Sequence, residues 1–361
     1  MPSAKSISKA SAGFLDSDVL RTARQAALTK REELDKLLST KIGRYTSEDT
    51  SLVVFGSLAR GEWTSGSDLD WTYLIDGEAN SDHLAIVQQI QRLLQQKENK
   101  KKFRPPGPTG TFGNMAFSHD IIHQIGGQND TNKNTTWRTL LLLESKAIGK
   151  NTEAYERVIR AVIGRYLAED NHPLTHDAKR YRVPRFLLND IVRFWRTMAV
   201  DFASKQRDRA GEGWGLRNAK LRLSRKLIFA SGLLVCFSAH LDLVLQSKIS
   251  TDKNGIKLHL LQHIRDQVKL SPLEVLAKSI ALYRIPKSIG KELFGSYAMF
   301  LRLLDDRDSR KKLENLRSED SRVDPTFRRV REISRSFEHA LDYIFFKNPQ
   351  IAPLIRKYGV F

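Results

Sequence analysis

Two carboxylates two residues apart, Asp68 and Asp70, close the stretch Ser67-Asp68-Leu69-Asp70, shortly after the run Phe55-Gly56-Ser57-Leu58-Ala59-Arg60-Gly61-Glu62. Residues i and i+2 of a β-strand share a face. The segment Leu69-Asp70-Trp71-Thr72-Tyr73-Leu74-Ile75 therefore puts Asp68 and Asp70 on one side and Leu69, Trp71 and Tyr73 on the other. Carboxylates held side by side repel each other, and a bound hard cation with oxygen ligands, most often Mg²⁺, relieves that repulsion. Phosphoryl and nucleotidyl transfer use two such ions, about 3.5–4 Å apart, to clamp the attacking and leaving oxygens. A third carboxylate normally holds the second ion. Asp120 is the candidate, inside Met115-Ala116-Phe117-Ser118-His119-Asp120-Ile121-Ile122-His123, which reads as another strand able to lie beside the first pair.

These side chains need elements to position them. Leu52-Val53-Val54-Phe55 is a short β-rich run that stops at Gly56 and is too brief for a buried helix. Gly56 lets the backbone approach a ligand, Ser57 adds a hydroxyl and an N–H, and Leu58-Ala59-Arg60 opens a helix whose first amides face an anion. Gly56, Ser57 and Arg60 are therefore the expected holders of the phosphates of a nucleoside triphosphate. Ahead of them, the spacing of Val19, Leu20, Ala23, Ala27, Leu34, Leu37 and Leu38 predicts a long helix over Asp16 to Ser39. Asp82 starts another helix, with the stripe Ile86, Ile90, Leu93 and Leu94. Lys97 to Arg104, followed by Pro105-Pro106-Gly107-Pro108, reads as a basic surface loop, and Asp76-Gly77 as a turn. Residues 13–150 thus form a mixed α/β domain behind a flexible segment, 1–12.

After Gly149 the chain reads as helical. Glu153 to Leu167 is a helix, Asp170-Asn171-His172-Pro173 a polar break, and Val183-Pro184 opens a helix with Leu187, Ile191, Phe194, Trp195 and Met198 as its stripe. Gly211-Glu212-Gly213-Trp214-Gly215 is a turn in which Trp214 serves as an anchor rather than a base-stacking platform. It leads into a basic helix that carries Arg217, Lys220 and Ser224. Ser271-Pro272-Leu273-Glu274 is a capping box and Asp324-Pro325 divides two later helices. The helical domain spans 151–347 and a docking tail, with Tyr358 near its end, spans 348–361.

Gly56-Ser57, the short helical spacer, Asp68-Leu69-Asp70 and the later Asp120 resemble the DNA polymerase β nucleotidyltransferase superfamily, from about Leu52 to Gly149. Within it, Gly56 to Glu62, His119 to Gly127 and Thr139 to Ser145 are similar to PII-type uridylyltransferases and to nucleotidyltransferases of bacterial antiphage signalling systems. The chain departs from the uridylyltransferases at Gly126-Gly127-Gln128-Asn129-Asp130, where they carry a Gly-His-Ser-x-Arg-Thr run, and this weakens a PII protein as acceptor. The resemblance implies a polymerase β-like α/β nucleotidyltransferase core with a mostly helical C-terminal domain. It also implies transfer of NMP or dNMP with release of pyrophosphate (EC 2.7.7 type). In that family pattern Asp68, Asp70 and Asp120 hold two Mg²⁺ ions, with Mn²⁺ as a substitute, and Asp120 draws the acceptor's proton. Lys220 and Ser224, at i and i+4, resemble the pair that the helical lobe offers to the triphosphate. Tyr358 resembles the protein hydroxyl that some antiphage relatives use as primer or acceptor. An oligonucleotide signal is the leading product; nucleotidylation of a protein or small molecule, and a catalytically silent nucleotide or nucleic-acid binder, are the alternatives.

The 361 residues, 40% hydrophobic, can bury two moderate cores. A formal charge of +19 attracts polyanions, so nucleotides and a polyanionic acceptor or product are the expected partners. A homo-oligomer or an effector partner stays open. The longest apolar stretch, around Leu227 to Leu245, is broken by Ser231, Ser238, His240 and Asp242, so no membrane insertion is expected. Met1 to Ala10 has no apolar core of a secretion signal, and a lone cysteine, Cys236, forms no internal disulfide. A cytoplasmic location is the expectation, with Cys236 a packed, inert thiol.

Overall fold

A computed structural model describes residues 11–107, 111–168, 173–208, 211–249 and 252–359. Most of the N-terminal segment 1–12 expected to be flexible, the polar break at 170–172 and Pro108 lie outside the described residues. The chain divides into two compact units, Thr22–Glu169 and Met1–Arg21 with Asp170–Phe361.

The first unit is mixed α/β. Helix α1 (Asp18–Lys41) leads into β1 (Thr50–Phe55), the one-turn α2 (Gly56–Arg60) and β2 (Trp71–Ile75). Helices α3 (Ser81–Gln95) and α4 (Lys97–Lys102) follow, then β3 (Asn114–Phe117), α5 (Ser118–His123), α6 (Asn132–Leu143), β4 (Ser145–Ile148) and α7 (Glu153–Ala168). The sheet order is β3-β2-β1-β4. β1 is antiparallel to both neighbours, and β2 is parallel to β3. A parallel pair needs a crossover, which α3 and α4 supply.

Alternation decides what each face carries. Leu52, Val54, Leu69, Trp71, Tyr73 and Ile75 point to a core shared with Leu34 and Leu38 of α1 and with Val87 and Ile90 of α3. α7 packs against β1 and β2. The Ser51 hydroxyl donates to Asn151 O (3.2 Å) and accepts from Tyr155 N (3.3 Å), while Arg157 reaches Asp76 (2.8 Å) and Asp49 (3.1 Å). The helix expected to open the helical domain therefore belongs to the α/β unit, whose boundary falls near 169 instead of 150.

Buried ion pairs around Arg138 and Arg60 clasp this unit. Arg138, with no exposed side chain, makes two bonds to Asp130 (2.9 and 3.0 Å) and one to Tyr166 Oη (3.0 Å). Asp130 also accepts from Gly126 N (3.0 Å), so the stretch that departs from the uridylyltransferase pattern is a structural clasp. Arg60 at the end of α2 binds Glu62 (Nη2–Oε2, 2.8 Å) and Glu144, at the junction of α6 and β4. All three side chains are at least nine-tenths buried. The basic segment after α3 is a short helix, α4, and not a loop; Phe103 behind it is buried, with Lys30 Nζ 5.5 Å from its ring centre.

The second unit is helical among its described residues. Its elements are α8 (Arg185–Asp208), α9 (Trp214–Lys220), a π-helical turn (Leu221–Arg225), α10 (Lys226–Leu241), α11 (Leu243–Gln246), α12 (Lys253–Val268), α13 (Pro272–Leu282), α14 (Lys287–Asp305), α15 (Arg307–Asn315) and α16 (Pro325–Asp342). Sequence signals set the starts. Ser271 and Glu274 close the capping box on α13, and Asp324 accepts from Phe327 N (2.6 Å) at the head of α16. Trp214 rests on Phe327 (centroids 4.9 Å), as an anchor does. At Gly215 a Cβ would meet Leu313 O at 2.8 Å, so only glycine lets α9 lie this close to α15. The helical path Trp214–Gln246 is long and apolar enough to cross a membrane, a correction to the expectation that no run reaches that length, and most of it is buried inside the protein. Cys236 lies there, fully buried, its thiol pushed far up by burial. Ile351, Leu354 and Ile355 dock the tail.

Two stability predictions follow from the α/β unit. Arg60→Met leaves Glu62 and Glu144 buried beside each other without this cation and should cost on the order of 3–5 kcal/mol, read from the urea midpoint; unchanged stability with weakened nucleotide binding would instead make Arg60 a phosphate ligand. Gly149 has φ +89°, and a Cβ there would lie 2.5 Å from the Tyr45 hydroxyl, which donates to Asp35 Oδ1 (2.6 Å). Gly149→Ala should therefore cost roughly 1–3 kcal/mol, seen as a lower Tm, and an unshifted Tm would refute that contact.

Candidate active site

Asp68 and Asp70 lie in extended chain just ahead of β2. Phe55 N donates to Asp70 O (2.9 Å) on one side, and Leu69 N donates to Arg104 O (2.8 Å) on the other. These backbone bonds hold the alternation expected from the sequence: Leu69 and Trp71 are buried at 1% and 2% exposure, whereas Asp68 and Asp70 are half-exposed. The Asp68 carboxylate has no hydrogen-bond or ion-pair partner among the described residues.

The chain bends at Gly56, between β1 and α2, with φ +67°, a conformation that favours glycine. A Cβ at Gly56 would stand 3.1 Å from Asp70 Oδ2, so the bare Cα is also what lets that carboxylate lie over the bend. Ser57 is half-exposed and its hydroxyl has no partner among the described residues. Gly56, Ser57 and Asp70 thus come together. Beside them Phe55, Phe112 and Trp137 form an aromatic cluster with centroids 5.0 to 5.9 Å apart, a wall that the sequence reading missed.

Arg60 does not join this group. Its guanidinium, expected to hold phosphates, is buried against Glu62 and Glu144 and braces α2. The Glu two residues after Arg60 was the available signal; Glu144 gave none.

Asp120 also lies elsewhere. The strand expected over 115–123 ends at Phe117, and Ser118 to His123 turn into helix α5. Its first turn holds Asp120, where a carboxylate is favoured by the unsatisfied amides. In the parallel register Thr72 pairs with Asn114 and Ile75 with Phe117, so Asp120 follows the far end of β2, whereas Asp70 precedes its start. Five residues of strand separate those ends by about 16 Å. Asp120 Oδ1 accepts from Gln124 Nε2 (3.1 Å), and Gln124 Oε1 accepts from Asn134 Nδ2 (2.7 Å), a link from α5 to α6. On the face of Asp70 and Thr72, β3 presents Asn114, and no residue of β3 is acidic. Among the described residues no three His, Cys, Asp or Glu side chains are grouped to hold a metal ion.

In the helical unit, Lys220 ends α9 half-buried. Ser224, four residues on, is buried in the π-helical turn that follows. Tyr358 is half-buried with Lys357 Nζ 5.3 Å from its ring centre, three residues beyond the docked Ile355.

The carboxylate pair fits a hard divalent cation by its chemistry: two aspartate oxygens on one side of an extended segment, one over a glycine bend where a phosphate backbone can approach. No curated protein matches the chain significantly. Residues 32–108, which run from α1 past the Gly56 bend and both aspartates to the start of the loop before β3, match the family model described as a nucleotidyltransferase domain.

Proposed function

We propose that the α/β unit is a divalent-cation-dependent nucleotidyltransferase that moves NMP or dNMP from a nucleoside triphosphate to an acceptor hydroxyl. The observation that carries this reading is the placement of Asp70 Oδ2 over the Gly56 bend, with Asp68 on the same side of the segment. Asp68 and Asp70 would hold one Mg²⁺ or Mn²⁺, which when bound offsets charge on the phosphate oxygens. Gly56 and Ser57 would receive the β- and γ-phosphates at the bend. The acceptor oxygen bonds to the α-phosphorus, the bond to the bridging oxygen breaks, and pyrophosphate leaves with that electron pair. Asp120 has no part in this reading, because the register carries it to the other end of the strand.

The charge of +19 and the large helical unit support a polyanionic acceptor or product, and with it an oligonucleotide signal of the kind made in bacterial antiphage defence. Transfer to a protein or small molecule would use the same residues. Tyr358, near the docked tail, would be the acceptor in a self-modifying version. A second reading, a catalytically silent nucleotide binder, is favoured by one observation: β3 brings Asn114, not an acid, to the carboxylates.

The test is incubation with each ribo- and deoxyribonucleoside triphosphate plus Mg²⁺ or Mn²⁺, with pyrophosphate measured and products resolved by mass. A ladder of additions supports the signal, one addition the modification of a small acceptor, and silence with every nucleotide the binding-only reading. Asp70→Asn should lower turnover at least a thousandfold, about 4 kcal/mol of transition-state stabilisation, with an unchanged circular dichroism spectrum. Asp120→Asn should stay within about threefold of wild type, or ~0.65 kcal/mol; an equal collapse in both variants would restore Asp120 to the site.

A further inference from the structure

Helix α5 carries two side-chain pairs at i and i+4, the spacing that makes residues neighbours on a helix surface. Asp120 and Gln124 are bonded to each other (3.1 Å), and Gln124 is tied on to Asn134 of α6. His119 and His123 form the other pair. Their ring centroids lie 4.9 Å apart, with the planes tilted by 37°, and both side chains are exposed. Ile121, two residues from each, turns the opposite way and is buried, so α5 packs through Ile121 and not through either imidazole. Beyond their contact with each other, neither His119 nor His123 has a hydrogen-bond or ion-pair partner among the described residues.

We propose that His119 and His123 are the two protein ligands of a site for a borderline divalent cation of the Zn²⁺ class, separate from the carboxylates. Imidazole suits such cations, whereas Mg²⁺ keeps to oxygens. Two histidines at i and i+4 on one helix face are a known arrangement for chelating zinc. The separation fits as well. A zinc–nitrogen bond is about 2.0–2.1 Å, and two of them at a tetrahedral angle put the nitrogens about 3.3 Å and the ring centres about 5 Å apart. The rings already stand at that distance without a cation to draw them together. Two of four positions are then filled by the protein, and the other two are open to water or to a ligand from solution. A cation held there closes a ring across one turn and staples α5, which begins at the residue after the end of β3. The site lies beyond the end of β2 remote from Asp70, so it stands or falls independently of the proposed transfer.

The probe is Zn²⁺, titrated calorimetrically into the untagged full chain in excess Mg²⁺, which occupies oxygen sites. One saturable event per chain is expected in wild type, in Asp68→Asn/Asp70→Asn and in a control at the exposed His176, His176→Gln. His119→Gln and His123→Gln should each weaken it at least tenfold, with an unchanged circular dichroism spectrum because both side chains are exposed. Cu²⁺ bound to the wild-type chain tests the ligands without any substitution: nitrogen hyperfine structure from two imidazoles in its electron paramagnetic resonance spectrum supports the site, and ligation by oxygen alone overturns it. Absence of saturable Zn²⁺ binding in wild type, full affinity in either His119→Gln or His123→Gln, or loss in Asp68→Asn/Asp70→Asn would each overturn it too.

Discussion

The site depends on one contact, that of the Asp70 carboxylate with the bare Cα of Gly56. β1 must end in a bend tight enough to send α2 back along the sheet, and this bend needs a positive φ. The neighbouring segment brings a charged oxygen to the same spot, where a Cβ would crowd it at 3.1 Å. One residue type meets both demands. The backbone bond from Phe55 to Asp70 locks the two chains in this register, so a shift by a single residue would exchange the aspartates for Leu69 and Trp71 and turn two carboxylates into the core.

Charge is handled oppositely on the two sides of α2. On the segment ahead of β2 Asp68 is left without a protein cation among the described residues, while at the end of α2 Arg60 is buried against two acids. A protein with a formal charge of +19 has no shortage of cations, so the unpaired Asp68 carboxylate reflects placement and not composition. The buried Arg60 cluster keeps α2 fixed to the junction of α6 and β4, and thereby keeps Gly56 and Ser57 fixed as well. A charge taken out of water is costly unless well paired, so this brace gives α2 a defined position more than it adds net stability.

Much of this was legible in the sequence where short-range rules govern. Alternation gave the faces of β2 and the segment before it, a short apolar run gave β1, Asp82 marked the start of α3, which Ser81 opens behind the cap Asn80 (accepting from Asp82 N, 2.9 Å), and Gly56 gave the bend. What was not legible depends on contacts distant in sequence. Glu144 carries no local sign that it will meet Arg60. Nothing in Ser118 to His123 separates a strand from a helix by apolar pattern alone, and the helix-favouring place of Asp120 in a first turn counts only once the strand is known to stop at Phe117. The outer boundary failed for a similar reason: α7 looks like any amphipathic helix, and only Ser51 and Asp76 reveal which unit it covers.

The parallel pairing of β2 with β3 then limits the chemistry. Whatever faces Asp70 from β3 must lie near the beginning of that strand, and Asn114 occupies the place level with Thr72 on that face. An amide can donate to or accept from a phosphate oxygen but has no basic form with which to take a proton at neutral pH. A nucleotidyl transfer at this bend therefore draws its base from outside β3: from Asp68 or Asp70 themselves, from water, or from the acceptor. An acceptor that arrives with an acidic hydroxyl or its own basic group would have least need of protein help in the transfer proposed above.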